Sequence, residues 1–265
     1  MYSYYQLALK WFRYLIYSSN GRGHGIHSPF VYELVREVLN DRSHYDAYGE
    51  IEALKKRLLR DQRILTVEDA GAGSTGNPFH EKRVSQIAAK SVSTRKFGRL
   101  LFRLARHYHA RQIIELGTSL GISASYLAST NAASRVVTLE GSAAISQVAA
   151  ETFRQLQLDN IIQVTGRFED TLEKVIRTNP AVDLVFLDGN HRKEAVLDYF
   201  ERFLKNMSTS SLMVIHDVHW SQEMEEAWAI IRASPHVKMT IDIFSAGLVF
   251  FREEFKVKQN FTIRF

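Results

Sequence analysis

Asp188-Gly189-Asn190-His191 and His216-Asp217-Val218-His219 each follow a short apolar run, Leu184–Leu187 and Leu212–Ile215. Apolar runs of that length bounded by polar residues read as buried parallel strands. Neighbouring strands lie about 4.8 Å apart, so Asp188 and Asp217 are expected side by side at the carboxyl ends, where open α/β sheets bind ligands. Two carboxylates that close repel unless a proton or a cation lies between them. A divalent ion is the natural occupant, with Asn190, His191, His216 and His219 around it as further ligands or bases. Plain hydrogen-bonded histidines would leave the same pattern of residues.

The second constellation is Ile113-Ile114-Glu115-Leu116-Gly117-Thr118-Ser119-Leu120-Gly121-Ile122-Ser123, an apolar strand that turns through two glycines into a helix of small residues. Such a turn brings bare backbone and its N–H groups close to a ligand. A dinucleotide fingerprint read from Gly117 needs glycine at 119 and 122, where this chain has serine and isoleucine. The missing glycines are those that admit a pyrophosphate and tight helix packing. A nucleoside ligand without a diphosphate fits better, and S-adenosylmethionine (SAM) leads. About 25 residues after Glu115, Glu140-Gly141 closes the next strand, where a carboxylate can accept both ribose hydroxyls. Phe168, in Gly166-Arg167-Phe168-Glu169 after the third strand, is placed either to stack on the base or to join the core.

The elements that must carry these residues alternate from Phe97 onward, strand then helix, which is the signature of βαβ units. Strands are expected at Gln112–Leu116, Arg135–Glu140, Ile161–Thr165, Leu184–Asp188 and Leu212–His216. Helices are expected near Ser123–Thr130, Ala143–Leu156, Glu169–Thr178, Arg192–Lys205 and Gln222–Ala233. The chain ends with Lys238–Phe244 and Leu248–Arg252 around a turn at Ala246-Gly247, too short for a crossover, so this pair must be antiparallel. Residues 1–95 read as a mostly helical accessory segment, with Ser28 as N-cap and Pro29 opening the helix to Leu39, and a further helix over Ile51–Leu59. The segment Asn20–His27 reads as a glycine-rich turn or a cationic lid. Glu68–Ser74 mimics an acid-plus-glycine turn but lacks a βαβ frame and reads as a loop.

Composition fits one α/β domain of 96–265 plus that accessory segment: 265 residues, 45% hydrophobic, 24% charged, formal net charge +5. The basic balance permits nucleic-acid binding, but acids are interspersed and no long Lys/Arg block occurs, so no nucleic-acid partner is expected. The absence of cysteine excludes disulfides, thiolate metal sites and a cysteine nucleophile. The aromatic stretch Tyr2–Tyr17, broken by Lys10 and Arg13, suits neither a signal peptide nor a spanning helix. It reads as a helix packed on the main domain or one lying on a membrane surface, and a cytoplasmic protein is the expectation.

From Lys96 to Arg252 the chain resembles the cation-dependent O-methyltransferases of the catechol and caffeoyl-CoA type within the class I SAM-dependent methyltransferases, and more closely their bacterial relatives with a D-G-x-H segment. The resemblance implies an α/β, Rossmann-like, doubly wound seven-stranded sheet of order 3-2-1-4-5-7-6, the last strand antiparallel. Glu115, Gly117, Thr118, Ser119, Gly121, Ser123, Glu140, Gly141, Phe168 and Asp188 then face the cofactor, Ser123 near the methionine carboxylate. Asp188 and Asp217 fall on two metal-binding aspartates, and the catalytic lysine of the family falls on His191. Two departures stand out. Val218 replaces the Asn that usually follows the second aspartate, leaving His219 or His216 to complete a Mg or Mn site, and His191 replaces the lysine. Imidazole titrates nearer neutrality than an ammonium group and could deprotonate a metal-acidified hydroxyl. The resemblance thus implies methyl transfer to a hydroxyl oxygen of a small-molecule acceptor, and a homodimer through the N-terminal helices. Trp220, Met224 and Trp228, at helical spacing, form an aromatic wall for that acceptor or simply core. A nicotinamide-dependent oxidoreductase, or a methyltransferase-like protein that binds cofactor without turnover, are the other readings.

Overall fold

The structure, a computed structural model, describes residues 1–19, 21–23, 27–68, 79–90 and 94–265. In chain order the elements are α1 (Tyr4–Tyr17), α2 (Pro29–Leu34, continued by a π-turn over Val35–Leu39), α3 (Asp46–Leu58), β1 (Ile64–Glu68), β2 (Phe79–Arg83), α4 (Val84–Lys90) and α5 (Arg95–His107). Then come β3 (Gln112–Leu116), α6 (Ile122–Ala128), β4 (Arg135–Glu140), α7 (Ala143–Gln155), β5 (Ile161–Thr165) and α8 (Phe168–Thr178). The last third holds β6 (Val182–Leu187), α9 (Lys193–Leu204), β7 (Met207–His216), α10 (Gln222–Ala233), β8 (Met239–Asp242), β9 (Ala246–Phe250) and β10 (Gln259–Thr262). Among the described residues no helix is long and apolar enough to cross a membrane. Half of the segment 20–27, on which the lid reading falls, lies outside those described, namely residue 20 and residues 24–26.

The chain forms two compact units, 42–178 and a second made of 1–41 with 179–265. The helices grouped by sequence into 1–95 therefore divide, α1 and α2 joining one unit and α3 and α4 the other.

In 42–178, β4 runs parallel between β3 and β5, with Glu115 opposite Thr138 and Glu140 opposite Thr165. These strands match their expected bounds. β1 pairs antiparallel with β2, so Glu68 ends no crossover strand, and residues 69–74 of the decoy lie outside the described residues. β3 and β4 are largely buried, and α3, α4, α5, α6 and α7 close over one cluster that includes Tyr48, Ile51, Phe102, Leu120, Ile122, Tyr126 and Val148. Tyr48, Phe102 and Tyr45 meet at ring separations of 4.8 to 5.2 Å, a geometry that adds to the area they bury.

In the other unit β6 and β7 are parallel, Leu187 opposite Ile215, and β7–β9 and β9–β8 are antiparallel as expected. β10, absent from the expected seven strands, adds parallel to β8. The reversal between the last pair is not at Ala246-Gly247. Asp242 Oδ1 accepts from the Phe244 N–H at 2.9 Å, the Ile243 N–H donates to Ala246 O at 3.0 Å, and Phe244 takes the left-handed region at φ 68°. The turn thus sits at 243–245, and Ala246-Gly247 already belong to β9. Gly247 is there for packing, because a Cβ at that position would lie 2.4 Å from the Trp228 ring.

Helix α1 opens with a capping box at Ser3 and Gln6. It docks through Tyr14, whose hydroxyl donates to Ile263 O at 2.5 Å and whose ring lies 5.2 Å from Phe244. Lys10 adds bonds of 2.8 and 3.0 Å to Glu225. Ser28 caps α2 by accepting from Val31 N–H, with Pro29 in the first turn, as read from the sequence.

Candidate active site

The glycine turn of unit 42–178 is built on the β3–β4 pair. Gly117 and Thr118 both donate their N–H to Leu139 O at 3.0 Å, and Thr118 Oγ1 lies 2.6 Å from Thr138 Oγ1. Thr138 in turn donates to Glu115 Oε2 at 2.5 Å. Glu115 is fully buried. Its carboxylate therefore fastens the loop to β4 through the two threonines, a positioning task rather than an evident contact to a ligand. Gly117 at φ 104° and Gly121 at φ 83° need the freedom of glycine, and a Cβ on Gly121 would lie 2.6 Å from Phe153. Ser119 between them is also left-handed, at φ 48°, a strain that clusters at functional sites.

Glu140 is the hub of this loop. Oε2 accepts from Ser119 N–H at 2.9 Å and Oε1 from Ser142 N–H at 3.0 Å, while Gly166 N–H donates to Glu140 O at 2.9 Å. One acid thus joins the first, second and third strand-end loops. Burial pushes the Glu140 carboxyl up, and the N–H groups of Ser142, Ser119 and Gly141 pull it partly back. Gly141 has open space where its Cβ would be. Ser123 is buried on the first turn of α6, and Phe168 stands half-buried at the start of α8.

The acid and histidine cluster lies wholly within the other unit. Because Leu187 pairs with Ile215, Asp188 comes opposite His216 rather than Asp217. His216 Nδ1 lies 3.0 Å from Asp188 Oδ1 and 3.4 Å from Asp217 Oδ1. His191 Nε2 lies 3.5 Å from Asp188 Oδ1 and 3.9 Å from Asp217 Oδ2. Burial pulls the His216 imidazole down, but Asp188 and Asp217 outweigh it and hold it up at about 10. For Asp188 burial pushes upward, and His216 and His191 overcome it, setting the carboxyl at about 2. The positive charge that the two carboxylates require can thus come from His216 itself. Two residues here, Asn190 at φ 51° and Asp217 at φ 57°, are left-handed.

A divalent cation also fits these residues. Asp188, His191 and His216 each offer a ligand atom within 4.8 Å of the others. Asn190 Oδ1 and His191 Nε2 are buried without a hydrogen bond, and buried polar atoms left so are uncommon in native interiors. His219 does not belong to this set. Its Nε2 bonds Asp242 Oδ2 at 2.8 Å and its Nδ1 bonds Glu225 Oε1 at 2.9 Å, so both ring nitrogens are taken. Burial lowers the His219 imidazole, and Asp242 and Glu225 more than reverse that. Met224 and Trp228 are core, Trp228 donating to Asp242 Oδ2 at 3.1 Å, and of the expected aromatic wall only Trp220 is exposed. Sequence reading missed Asp242, Glu225 and Thr138 as partners. It named His216 without its place between the aspartates, which the strand register alone reveals.

Residues 114–218 match a protein family described as "Methyltransferase domain". No curated protein sequence matches the chain. Among solved structures, a SAH-bound methyltransferase of Podospora anserina shares 17% identity, covering 85% of this chain and 97% of its own, at a TM-score of 0.59. An O-methyltransferase of Bacillus cereus in complex with SAH shares 21%, covering 83% and 97%, at 0.52. An O-methyltransferase of Streptomyces achromogenes involved in tomaymycin synthesis, in complex with SAM, shares 22%, covering 84% and 95%, at 0.53. The segment that carries the glycine turn, Glu140 and the Asp188 cluster thus matches a methyltransferase-domain family, and the chain has the Rossmann-like α/β fold of these methyltransferase structures.

Proposed function

We propose that this chain is a SAM-dependent O-methyltransferase acting on a hydroxyl of a small molecule. The observation that carries the reading is Glu140, a carboxylate held by Ser119 and Ser142 N–H groups beside the open position at Gly141. That carboxylate keeps lone pairs for two ribose hydroxyls, while Gly117, Thr118, Ser119, Gly121 and Ser123 supply the close backbone and small side chains that an adenosyl sulfonium compound requires. The SAM- and SAH-bound neighbours support the same cofactor. In the sequence-based division the methyltransferase domain is 96–265 and 1–95 its accessory helices.

The sulfonium carbon is already activated, so the residues need only align the acceptor and take its proton. Asp188, His191, His216 and Asp217 form the polar group suited to that task. A divalent cation held by Asp188, Asp217 and an imidazole would acidify the acceptor hydroxyl. His191, with its Nε2 lacking a hydrogen bond, is the group placed to accept the proton. Imidazole donors favour manganese over magnesium. Calorimetry tests the reading: purified protein takes up S-adenosylhomocysteine but not NAD, and Glu140→Ala abolishes the uptake. Binding of NAD alone would transfer the chain to the oxidoreductases. SAH release from SAM with catechol-like acceptors, with and without Mn²⁺, then tests the oxygen acceptor and the cation.

A further inference from the structure

Helix α1 turns an apolar stripe to solvent. Tyr5, Leu9, Phe12 and Ile16, spaced i, i+4, i+7 and i+11, are 74%, 53%, 61% and 60% exposed, with Tyr4 and Trp11 exposed beside them. A stripe at that spacing is the face a helix ordinarily buries. Here the buried side is the opposite one, where Lys10 and Tyr14 fix the helix to Glu225 and Ile263. The outward face is therefore held in one orientation by bonds that leave it uncovered, and clusters of this kind mark interaction surfaces.

We propose that α1 seats this protein on an anionic lipid surface. Charge selects that occupant. Residues 1–32 contain Lys10, Arg13 and Arg22, and no aspartate or glutamate. Of these, Arg13 is exposed on α1 and lies over the Tyr17 ring at 5.7 Å. A second copy laid on the stripe would bring Arg13 against a helix with no acid to meet it, whereas phosphate and carboxylate headgroups neutralise it. The composition agrees. Tyr4, Tyr5 and Trp11 have an apolar ring and a polar tip, which suits the boundary between acyl chains and headgroups. An apolar face outward with a cation at its flank is the arrangement of a helix lying in the interface. It stands apart from methyl transfer and survives or fails without it.

Vesicle flotation tests it, using the full-length chain with phosphatidylcholine vesicles and with vesicles that also contain phosphatidylserine. The protein is expected to float with the second and not the first, and to be released by high salt. Phe12→Glu/Ile16→Glu should abolish flotation, and Arg13→Glu, a change of two charges, should weaken partitioning about thirtyfold. All three positions are exposed, so thermal unfolding of the variants should match the parent. Equal flotation with both vesicles would overturn the charge argument. Failure to float, or sedimentation as a dimer that the double variant converts to monomer, would overturn the proposal and assign the stripe to a second copy.

Discussion

His216 Nδ1 stands 3.0 Å from Asp188 Oδ1 in an almost fully buried position, and reaches Asp217 at 3.4 Å. Two strand-end carboxylates are thus joined by an imidazole supplied from the last residue of β7. Removing one partner of a buried charged group leaves the other uncompensated, which is far more damaging than exchanging the whole set for apolar residues.

His216→Ala should therefore lower stability by about 3 kcal/mol in metal-free buffer. If the cluster also accepts a divalent ion, Mn²⁺ should restore part of that loss by neutralising Asp188 and Asp217 in the imidazole's place. Urea unfolding with EDTA and with Mn²⁺ checks both. A variant as stable as the parent in EDTA would show that the aspartates do not depend on His216.

The affinity for S-adenosylhomocysteine should fall in mildly acidic solution. Burial holds the Glu140 carboxyl above its ordinary value, and ribose hydroxyls donate to its ionised form. Bound ligand therefore lowers that pKa. Affinity is full at neutral pH and declines as pH drops through the raised value of the free protein, because the site must then lose a proton to bind. Calorimetry from pH 5 to 8 reads the slope. Glu140→Gln should flatten it and weaken binding by about 2 kcal/mol at pH 7.

The three strands β3, β4 and β5 were legible to the residue, because each apolar run is bounded by polar or glycine signals. The glycine turn and Glu140 were legible for the same reason. The reversal before β9 was not, since Ala246-Gly247 has the composition of a turn while the left-handed residue is Phe244, a conformation that sequence does not display. The Asp188 cluster was half legible. Counting acids at strand ends aligns Asp188 with Asp217, but pairing of Leu187 with Ile215 shifts the match by one residue and brings in His216. His219 was misassigned to a cation because its partner Asp242 lies 23 residues further on, a separation across which no local pattern operates.

Gly247→Ala should destabilise the protein by about 2 kcal/mol. The added methyl would sit 2.4 Å from the Trp228 ring, and Trp228 cannot retreat without breaking its bond to Asp242. Gly141→Ala, in open space, should leave stability within about 0.5 kcal/mol of the parent. Thermal unfolding of the two variants side by side makes the comparison. A Gly247 variant of parental stability would return that residue to the turn and displace Trp228 from the core.

His219→Gln separates structural from ligating histidines. His219 bridges Asp242 and Glu225, and Glu225 also holds Lys10 and Tyr2 of the N-terminal segment. Losing the bridge should cost about 2 kcal/mol in urea unfolding at pH 6. The two acids hold the imidazole above its ordinary value, so this stabilisation is fully present below the unfolded value of about 6.5 and is lost as pH rises through the folded one. The gap between parent and variant should accordingly narrow at alkaline pH. Manganese affinity, measured by calorimetry, should be unchanged in His219→Gln and abolished in Asp188→Asn. Loss of the ion in His219→Gln would mean that His219 leaves its two carboxylates to bind it.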